Sequence, residues 1–179
     1  AAYSALLTWR QEAGDYAELI TVTLDKSPDG LSINMQAPAA APWSGTDNSA
    51  RLEVVITIPD NCQAQFATAY FTIDATGPFA GMTIAETISK VRVSKVKGTT
   101  DIRVSQSPLA VSDLSGEVYL SNKFAPIKVD NVETGDQQGT IANESGEVII
   151  DSYRGSLDLR TSNKRIAAKG LFLTSVRSQ

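Results

Sequence analysis

Histidine is absent from this 179-residue chain, and cysteine occurs once, at Cys62. Without histidine there is no Ser-His-Asp or Cys-His nucleophile system, and the commonest general base of enzymes is missing as well. The usual zinc and non-haem iron sites need histidine or clustered cysteine, so they are excluded too, and one cysteine cannot form an intrachain disulfide. We therefore expect no catalytic residue, no cofactor and no metal. Cys62 is interpreted as a small, partly buried residue rather than a reactive thiol.

Long apolar runs and clustered basic residues are also missing. No stretch approaches the ~18 consecutive apolar residues of a membrane-spanning helix. Sixteen Lys and Arg residues are scattered among 20 Asp and Glu residues, for a net charge of −4, whereas nucleic-acid binding needs a clustered basic face. We expect neither a membrane span nor a nucleic-acid partner. Hydrophobic residues make up 42% of the chain, which is enough for a packed core and too much for a disordered chain.

What the sequence does contain is a repeat. Six glycines punctuate its C-terminal half at nearly even intervals: Gly81, Gly98, Gly116, Gly135, Gly155 and Gly170. The segments Val91–Gly98, Leu109–Gly116 and Val148–Gly155 align with one another, and Ile127–Gly135 aligns with one extra residue. A unit this short cannot bury its own apolar face, so it must stack on its neighbours. Alternation of apolar and polar residues along each unit indicates that the stacked elements are strands.

Each repeat contains two strand signals and a corner. The pairs predicted to point inward from the first strands are Met82/Ile84, Ile102/Val104, Val118/Leu120, Leu157/Leu159 and Leu171/Leu173, with Ile141 in the fourth turn. The pairs predicted for the second strands are Val91/Val93, Leu109/Val111, Ile127/Val129, Val148/Ile150 and Ile166/Ala168. A third inward residue follows the corner in four turns, at Val96, Leu114, Val132 and Tyr153. The final turn, 156–170, is short and is expected to lack one.

These patterns predict an all-β fold, a single-stranded parallel β-solenoid with a right-handed coil, since parallel crossovers are right-handed. We expect the repeat glycines at corners, where a positive φ or a close backbone approach excludes a Cβ atom. Residues 61–179 are assigned to the solenoid as one continuous domain, and residues 1–60 to an N-terminal strand and capping region. That region contains a predicted β-hairpin around the turn Ser27–Gly30 and a strong strand over 51–59, and a further strand is predicted at Phe66–Ile73.

The strand Leu52–Pro59, which ends in proline, and the late repeats Ser145–Gly155 and Ser156–Ser162 resemble a bacterial family of proposed adhesins. That family is a domain of unknown function built of β-strand repeats with Gly-punctuated turns, and the resemblance extends over residues 51–175. It implies an exported, non-catalytic interaction module. The family has no established catalytic residues, so none is carried over. The short final turn departs from the family pattern.

One column of polar residues would be brought together by stacking. Ser94, Ser112, Asp130 and Asp151 follow the second strands, with Lys95, Asp113, Asn131 and Ser152 beside them. Stacked carboxylates at a corner could bind Ca²⁺ through oxygen ligands. Asp, Asn and Ser also occupy turns because their side chains bond the local backbone, and this is the interpretation we favour.

A carbohydrate-active enzyme is a further alternative, since polysaccharide lyases and hydrolases use parallel β-helices with paired carboxylates in a cleft. The loops here are too short to build such a cleft, and four glutamates are interpreted as solvated turn charges: Glu86, Glu117, Glu144 and Glu147. Asn143–Ser145 fits a glycosylation sequon, a motif that is frequent by chance.

Three large apolar side chains, Tyr119, Ile149 and Phe172, point outward by parity. We expect them to be covered by the N-terminal segment or to be isolated surface residues, and the alternative is a partner surface.

The sequence thus predicts a non-catalytic β-solenoid whose partner is a protein or a cell-surface glycan. Export to the periplasm or the cell surface is expected, with a cytoplasmic location as the alternative. A self-assembling scaffold is the second hypothesis, because an open solenoid end exposes unpaired backbone and an apolar core. We expect either self-association through the C-terminal end, where Leu171–Leu173 would open an incomplete turn, or a native chain that continues past residue 179.

Overall fold

The computed structural model of the chain describes residues 4–9, 21–27, 30–36, 52–68, 72–162 and 164–178. The chain divides into two compact units, residues 1–59 and residues 60–179. The described residues form strands and turns, with no helix among them that could cross a membrane. The division falls just before the predicted boundary, and the capping role of the first unit stays a prediction.

The first unit contains two antiparallel strand pairs. Its strands are β1 (Ser4–Trp9), β2 (Thr21–Ser27), β3 (Gly30–Gln36) and β4 (Leu52–Thr57). β1 pairs with β4, and β2 pairs with β3 with Ser27 opposite Gly30. The β2–β3 pair is the hairpin predicted from the sequence, and its two central turn residues lie outside the described residues.

The second unit is a stack of parallel strands. They are β5 (Cys62–Phe66), β6 (Ile73–Thr87), β7 (Val91–Lys97), β8 (Thr100–Val104), β9 (Leu109–Ser115), β10 (Val118–Asn122), β11 (Ile127–Asn143), β12 (Val148–Thr161) and β13 (Ile166–Ser178). Each described pairing among them is parallel. The predicted parallel β-solenoid is therefore confirmed, with about six turns. The predicted strand Phe66–Ile73 falls partly outside the described residues, at 69–71; β5 ends at Phe66, β6 begins at Ile73, and the described residues 67, 68 and 72 lie in no strand.

The solenoid has two strand-bearing faces. Face I stacks residues 62–66, 81–87, 100–104, 118–122, 139–143, 157–161 and 175–178, and face II stacks residues 73–79, 91–97, 109–115, 127–133, 148–154 and 166–172. The longest strands, β6, β11, β12 and β13, each continue from face II around a corner into face I. Successive turns repeat on face II with one constant period, and the only longer step among the described turns runs from Ile127 to Val148.

Like residues stack on like in the core. Every predicted inward side chain from Met82 to Leu159 is buried, and so are the four residues predicted after the corners. Strand spacing of ~4.8 Å places each of these side chains in contact with its equivalents in the turns before and after. The result is one continuous apolar core along the second unit.

The last turn was misassigned from the sequence. Leu171 lies opposite Tyr153 and is therefore the third inward residue that this turn was expected to lack. Leu173 lies opposite Gly155, and the first-strand position falls to Val176, opposite Leu157. The misassignment arose because Gly170 was aligned with the repeat glycines, whereas it is equivalent to Ser152.

Two corner positions have positive φ in several turns. The first is occupied by Lys95, Asp113, Asn131 and Ser152, with φ of 51–65°, and then by Gly170. The second holds Gly98, Gly116 and Gly155, with φ of 112–129°. A Cβ atom at Gly116 would lie 2.7 Å from the carbonyl oxygen of Gly98, so a side chain is excluded there, whereas the last turn has Leu173 opposite Gly155. Gly81 lies one position further along, opposite Thr99.

The fourth turn is longer, and Tyr153 fills the extra space. On face I, the inward position of this turn is occupied by Gly139 instead of a larger apolar residue, and a Cβ atom at Gly139 would overlap the Tyr153 hydroxyl. That hydroxyl donates to the carbonyl oxygen of Ser156 at 2.9 Å. A tyrosine replaces the aliphatic residues of the same column because the added residues open the corner and Gly139 leaves room.

Replacing Val111 by Asp is expected to prevent folding, because an unpaired charge in the axial core costs more than a domain of ordinary stability can offset. Ala110→Asp is the matched control, since Ala110 points outward between Arg92 and Lys128 and should melt like the wild type. Leu114→Ala should cost roughly 2–5 kcal/mol through cavity formation. Wild-type thermal stability in Val111→Asp, measured by circular dichroism, would contradict the inward assignment.

Tyr153 should make stability fall at high pH. Burial raises the pKa of Tyr153 above its usual 10.0, with a hydrogen bond from Thr134 acting in the opposite direction. The folded chain therefore holds this proton more tightly than the unfolded chain. The stability it contributes is complete below pH ~10 and is lost as the pH rises through the raised value.

Urea denaturation of wild type and Tyr153→Phe between pH ~8 and ~11 tests this. At the lower pH the variant should lose about 1 kcal/mol with its hydrogen bond. At the higher pH its stability should decline less steeply than that of the wild type. Tyr119→Phe, at an exposed tyrosine, is the control, and equal slopes for Tyr153→Phe and wild type would refute the assignment.

Candidate functional site

The polar column predicted from the sequence does come together on face II. Ser94, Ser112, Asp130 and Asp151 occupy consecutive positions in register, continued by Thr76 and Lys169 at the two ends. The residues predicted beside them are the corner residues with left-handed φ. Stacking thus brings two aspartates, Asp130 and Asp151, into adjacent turns.

The described contacts of this column and of the corner residues beside it join side chains of successive turns of the solenoid. The Asn131 amide donates to Asp113 Oδ1 at 2.6 Å, and the Ser94 hydroxyl donates to Thr76 Oγ1 at 3.2 Å. Lys169 Nζ lies 2.8 Å from Asp151 Oδ2, which raises the pKa of Lys169. Within the described ranges, no three His, Cys, Asp or Glu side chains are grouped so as to hold a metal ion. These contacts favour the structural interpretation of the column.

The least exposed carboxylates on face I each form a bidentate ion pair with an arginine. Arg103 donates to both oxygens of Asp101 at 3.0 and 2.9 Å, and Arg160 donates to both oxygens of Asp158 at 3.2 and 2.6 Å. The hydrogen bond from Arg160 lowers the pKa of Asp158. A general acid needs a raised pKa, so Asp158 is poorly suited to that role. In the adjacent turns, Tyr119 stands opposite Asp101 and Arg177 opposite Asp158.

The glutamates named in the sequence analysis do not converge. Glu117 and Glu144 are exposed, and Glu147 is half-buried with Oε1 3.9 Å from Arg165 Nε. The side chain of Glu86 lies outside the described residues.

The sequon asparagine has a structural role. Asn143 is buried, its amide donates to the carbonyl oxygen of Ala125 at 3.0 Å, and its Oδ1 accepts from the Gly146 amide at 2.8 Å. Its side-chain nitrogen is therefore used inside the corner and is not presented for glycosylation. Cys62 is a free, half-buried cysteine, as expected.

The outward apolar residues differ in their exposure and in their contacts with arginine. Tyr119 is partly exposed, and the Arg103 guanidinium lies over its ring at 5.1 Å. Ile149 is half-buried within face II. Phe172 is 64% exposed on the last turn, with Arg154 over its ring at 5.4 Å. The outward direction predicted by parity is confirmed, and sequence reasoning missed Phe124, which is 61% exposed at a corner.

Four of the exposed large apolar side chains described in the second unit lie on β13, which we call the terminal rung (residues 166–178): Ile166, Leu171, Phe172 and Val176. Ile166 and Leu171 are each 37% exposed, and Val176 is 62% exposed, although their equivalents in β12 are fully buried. Among the described strands β13 pairs with β12 alone, so its other edge carries unpaired backbone groups. Val176 was missed because the shifted glycine hid the true period of the last turn.

Basic residues surround this apolar strand. The segment 159–179 includes five basic residues and no acidic one: Arg160, Lys164, Arg165, Lys169 and Arg177. The side chains of Arg165 and Lys169 are 78% and 76% exposed even though each faces a carboxylate of the preceding turn. The count is visible in the sequence, but only the structure shows that Arg160, Arg165 and Lys169 face Asp158, Glu147 and Asp151.

Calcium is not expected to stabilise the protein. Since Asp151 is bound by Lys169 and Asp113 by Asn131, millimolar Ca²⁺ should leave the melting temperature unchanged. Differential scanning fluorimetry with and without the ion measures this. A rise that disappears in Asp130→Ala would make the column a metal site.

Comparisons of the chain with protein-family models, with curated proteins and with solved structures give no match. The resemblance to the family of proposed adhesins therefore stays a prediction from the sequence. The terminal rung is the candidate site that the geometry itself brings forward.

Proposed function

We propose that this chain is a non-catalytic, exported interaction module of the adhesin-like kind, which engages a partner through its terminal rung. One observation carries the proposal. Phe172, Val176, Leu171 and Ile166 are exposed together on a single strand whose outer edge is unpaired among the described strands. Monomeric proteins rarely leave a contiguous apolar surface next to an open strand edge unless something binds there.

Strand addition is the binding mode that this surface supports. The outer edge of β13 presents alternating N–H and C=O groups that an extended segment of a partner can pair with. Backbone pairing would supply affinity, while contacts with Leu171 and Val176 would replace the core contacts that an additional turn makes elsewhere in the solenoid. The basic flank favours a partner strand that carries acidic residues at its outward positions.

The outer surfaces supply a supporting argument. On faces I and II, charged side chains pair with one another at Asp101–Arg103, Asp158–Arg160 and Asp151–Lys169. Surfaces that carry such ion pairs are less prone to associate than an exposed apolar strand, so the terminal rung is the preferred contact. Export is part of the proposal, and recovery of the full-length protein in the cytoplasmic fraction of its native cell would contradict that part.

A self-assembling scaffold is the second candidate. It is favoured by the exposed apolar side chains of β13, a strand that pairs with β12 alone among the described strands.

A short acidic peptide with alternating Val and Glu tests the binding mode directly. We expect it to bind the protein, and the same peptide with Lys in place of Glu to bind at least ~10-fold more weakly, a difference of about 1.4 kcal/mol. The double variant Leu171→Glu/Phe172→Glu should weaken binding of the acidic peptide by a similar factor, because it removes apolar contacts and adds negative charge. Fluorescence anisotropy with labelled peptides measures all three.

Phe124→Glu is the matched control, because Phe124 is exposed to a similar degree as Phe172 but lies at a corner away from the terminal rung. It should bind the acidic peptide like the wild type. If the acidic peptide fails to bind, or binds equally well to the Leu171→Glu/Phe172→Glu variant, the terminal rung is not the interaction surface.

A further inference from the structure

A ladder of charged side chains on face II is interrupted at one turn. Asp74, Arg92, Ala110 and Lys128 occupy the same outward position in four consecutive turns. Asp74 and Arg92 form a loose ion pair, with Arg92 Nη1 3.8 Å from Asp74 Oδ2. Because opposite charges stabilise directly opposite positions of neighbouring strands, the position between Arg92 and Lys128 favours an anion. The chain itself places the methyl group of Ala110 there.

The two cations beside Ala110 retain their capacity to bind an anion. Among the described residues, no carboxylate lies within ion-pair distance of the Lys128 ammonium. The contact of Arg92 with Asp74 is too long for a hydrogen bond, and the Arg92 side chain is 51% exposed. The two positions are two strand spacings apart, ~9.6 Å, so an anion above Ala110 interacts with both cations.

The same residues line a cleft. Its volume is about 300 Å³, at the lower end of the range for small-molecule sites. Arg92, Ala110 and Lys128 line it together with Ser94 and Ser112. The Ser94 hydroxyl donates to the preceding turn, which leaves its oxygen as an acceptor, and the Ser112 hydroxyl has no hydrogen-bond partner among the described residues. The cleft therefore offers hydroxyl groups beside its two cations.

Two carboxylates bound the cleft. Asp74 and Asp130 both line it, in the first and the last of the four turns. These carboxylates would repel a ligand that carries many negative charges, such as a strongly acidic peptide. They would accept charge-assisted hydrogen bonds from a ligand whose single carboxylate is surrounded by hydroxyl groups. A sugar acid has this arrangement of groups.

We infer that the cleft between Arg92 and Lys128 binds a uronic acid residue of a glycan, with the sugar carboxylate above Ala110. The two cations neutralise that carboxylate from the turns before and after it. Asp74 and Asp130 accept hydrogen bonds from hydroxyl groups of the glycan at the two ends of the cleft. The site uses no residue of the terminal rung, so it stands or fails independently of the proposed function.

Titration of the isotope-labelled protein with methyl glucuronide, followed by nuclear magnetic resonance, tests the ligand class. The amide signals of Ala110 and Ser112 should shift with a dissociation constant on the order of 1 mM, as expected for a ligand of this size. Methyl glucoside has a neutral hydroxymethyl group in place of the carboxylate and should bind at least ~10-fold more weakly. N-acetylglutamate amide, which represents an acidic peptide and has no ring hydroxyls, should be weaker by a similar factor.

Variants at the cleft test its location. Ala110→Asp places a carboxylate of the protein itself between Arg92 and Lys128, so saturable binding of methyl glucuronide should disappear while the fold stays that of the wild type. Lys128→Ala should weaken binding by about 10-fold, because one of the two cations is removed. Lys97→Ala is the matched control, since Lys97 is another exposed lysine of the same unit, and it should bind like the wild type.

Each contrary result overturns the inference. Equal binding of methyl glucoside would mean that the cations take no part, and equal binding of N-acetylglutamate amide would mean that the cleft recognises a carboxylate and not a sugar. Binding that persists in Ala110→Asp, an equal loss in Lys97→Ala, or signal shifts confined to β13 would place the ligand elsewhere. Absence of any saturable shift in the wild type would exclude the site. None of these results changes the outcome expected for the acidic peptide at the terminal rung.

Discussion

The stacking of each turn on its equivalent, one strand spacing away, is the constraint on which the rest of this structure depends. It requires that inward positions recur in register, and the columns through Val91 and Val93 show that they do so with one constant period over most of the solenoid. Because each turn has the same cross-section, a change in one turn must be compensated locally. The added residues of the fourth turn are accommodated by Gly139, which has no side chain, and by Tyr153, whose hydroxyl lies where a side chain at Gly139 would be.

The same constraint explains what could be predicted and what could not. Alternation identifies inward residues well, since a buried strand position admits few polar side chains, and the buried residues from Met82 to Leu159 follow the prediction. Glycine spacing is a poorer guide to the period, because one corner position holds glycine in several turns but Leu173 in the last. At the other, Asp113 and Gly170 adopt the same left-handed conformation, so the glycine at 170 shifted the apparent end of the last turn.

The candidate site was only partly accessible to sequence reasoning. The polar column on face II was found by alignment, but its meaning depends on contacts such as Asp151–Lys169 that no spacing reveals. The terminal rung was anticipated as an open end, yet Val176 and the basic flank emerged only once register was known. A sum over the whole chain hides that flank, since a net charge of −4 gives no sign of a basic terminus.

Each turn of a solenoid pairs the backbone N–H and C=O groups at the edge of the turn before it and exposes the same groups at its own outer edge. The edge left open by Val148 is closed by Ile166, and closing it creates the same edge one spacing further on. Regular turns are therefore alike in this respect, and a described strand with one parallel partner instead of two, such as β13, keeps one edge for pairing. Val176 on β13 is 62% exposed, whereas its equivalent in β12, Leu157, is fully buried. The stacking that buries the core in the other turns is therefore also the reason that apolar side chains of β13 are exposed.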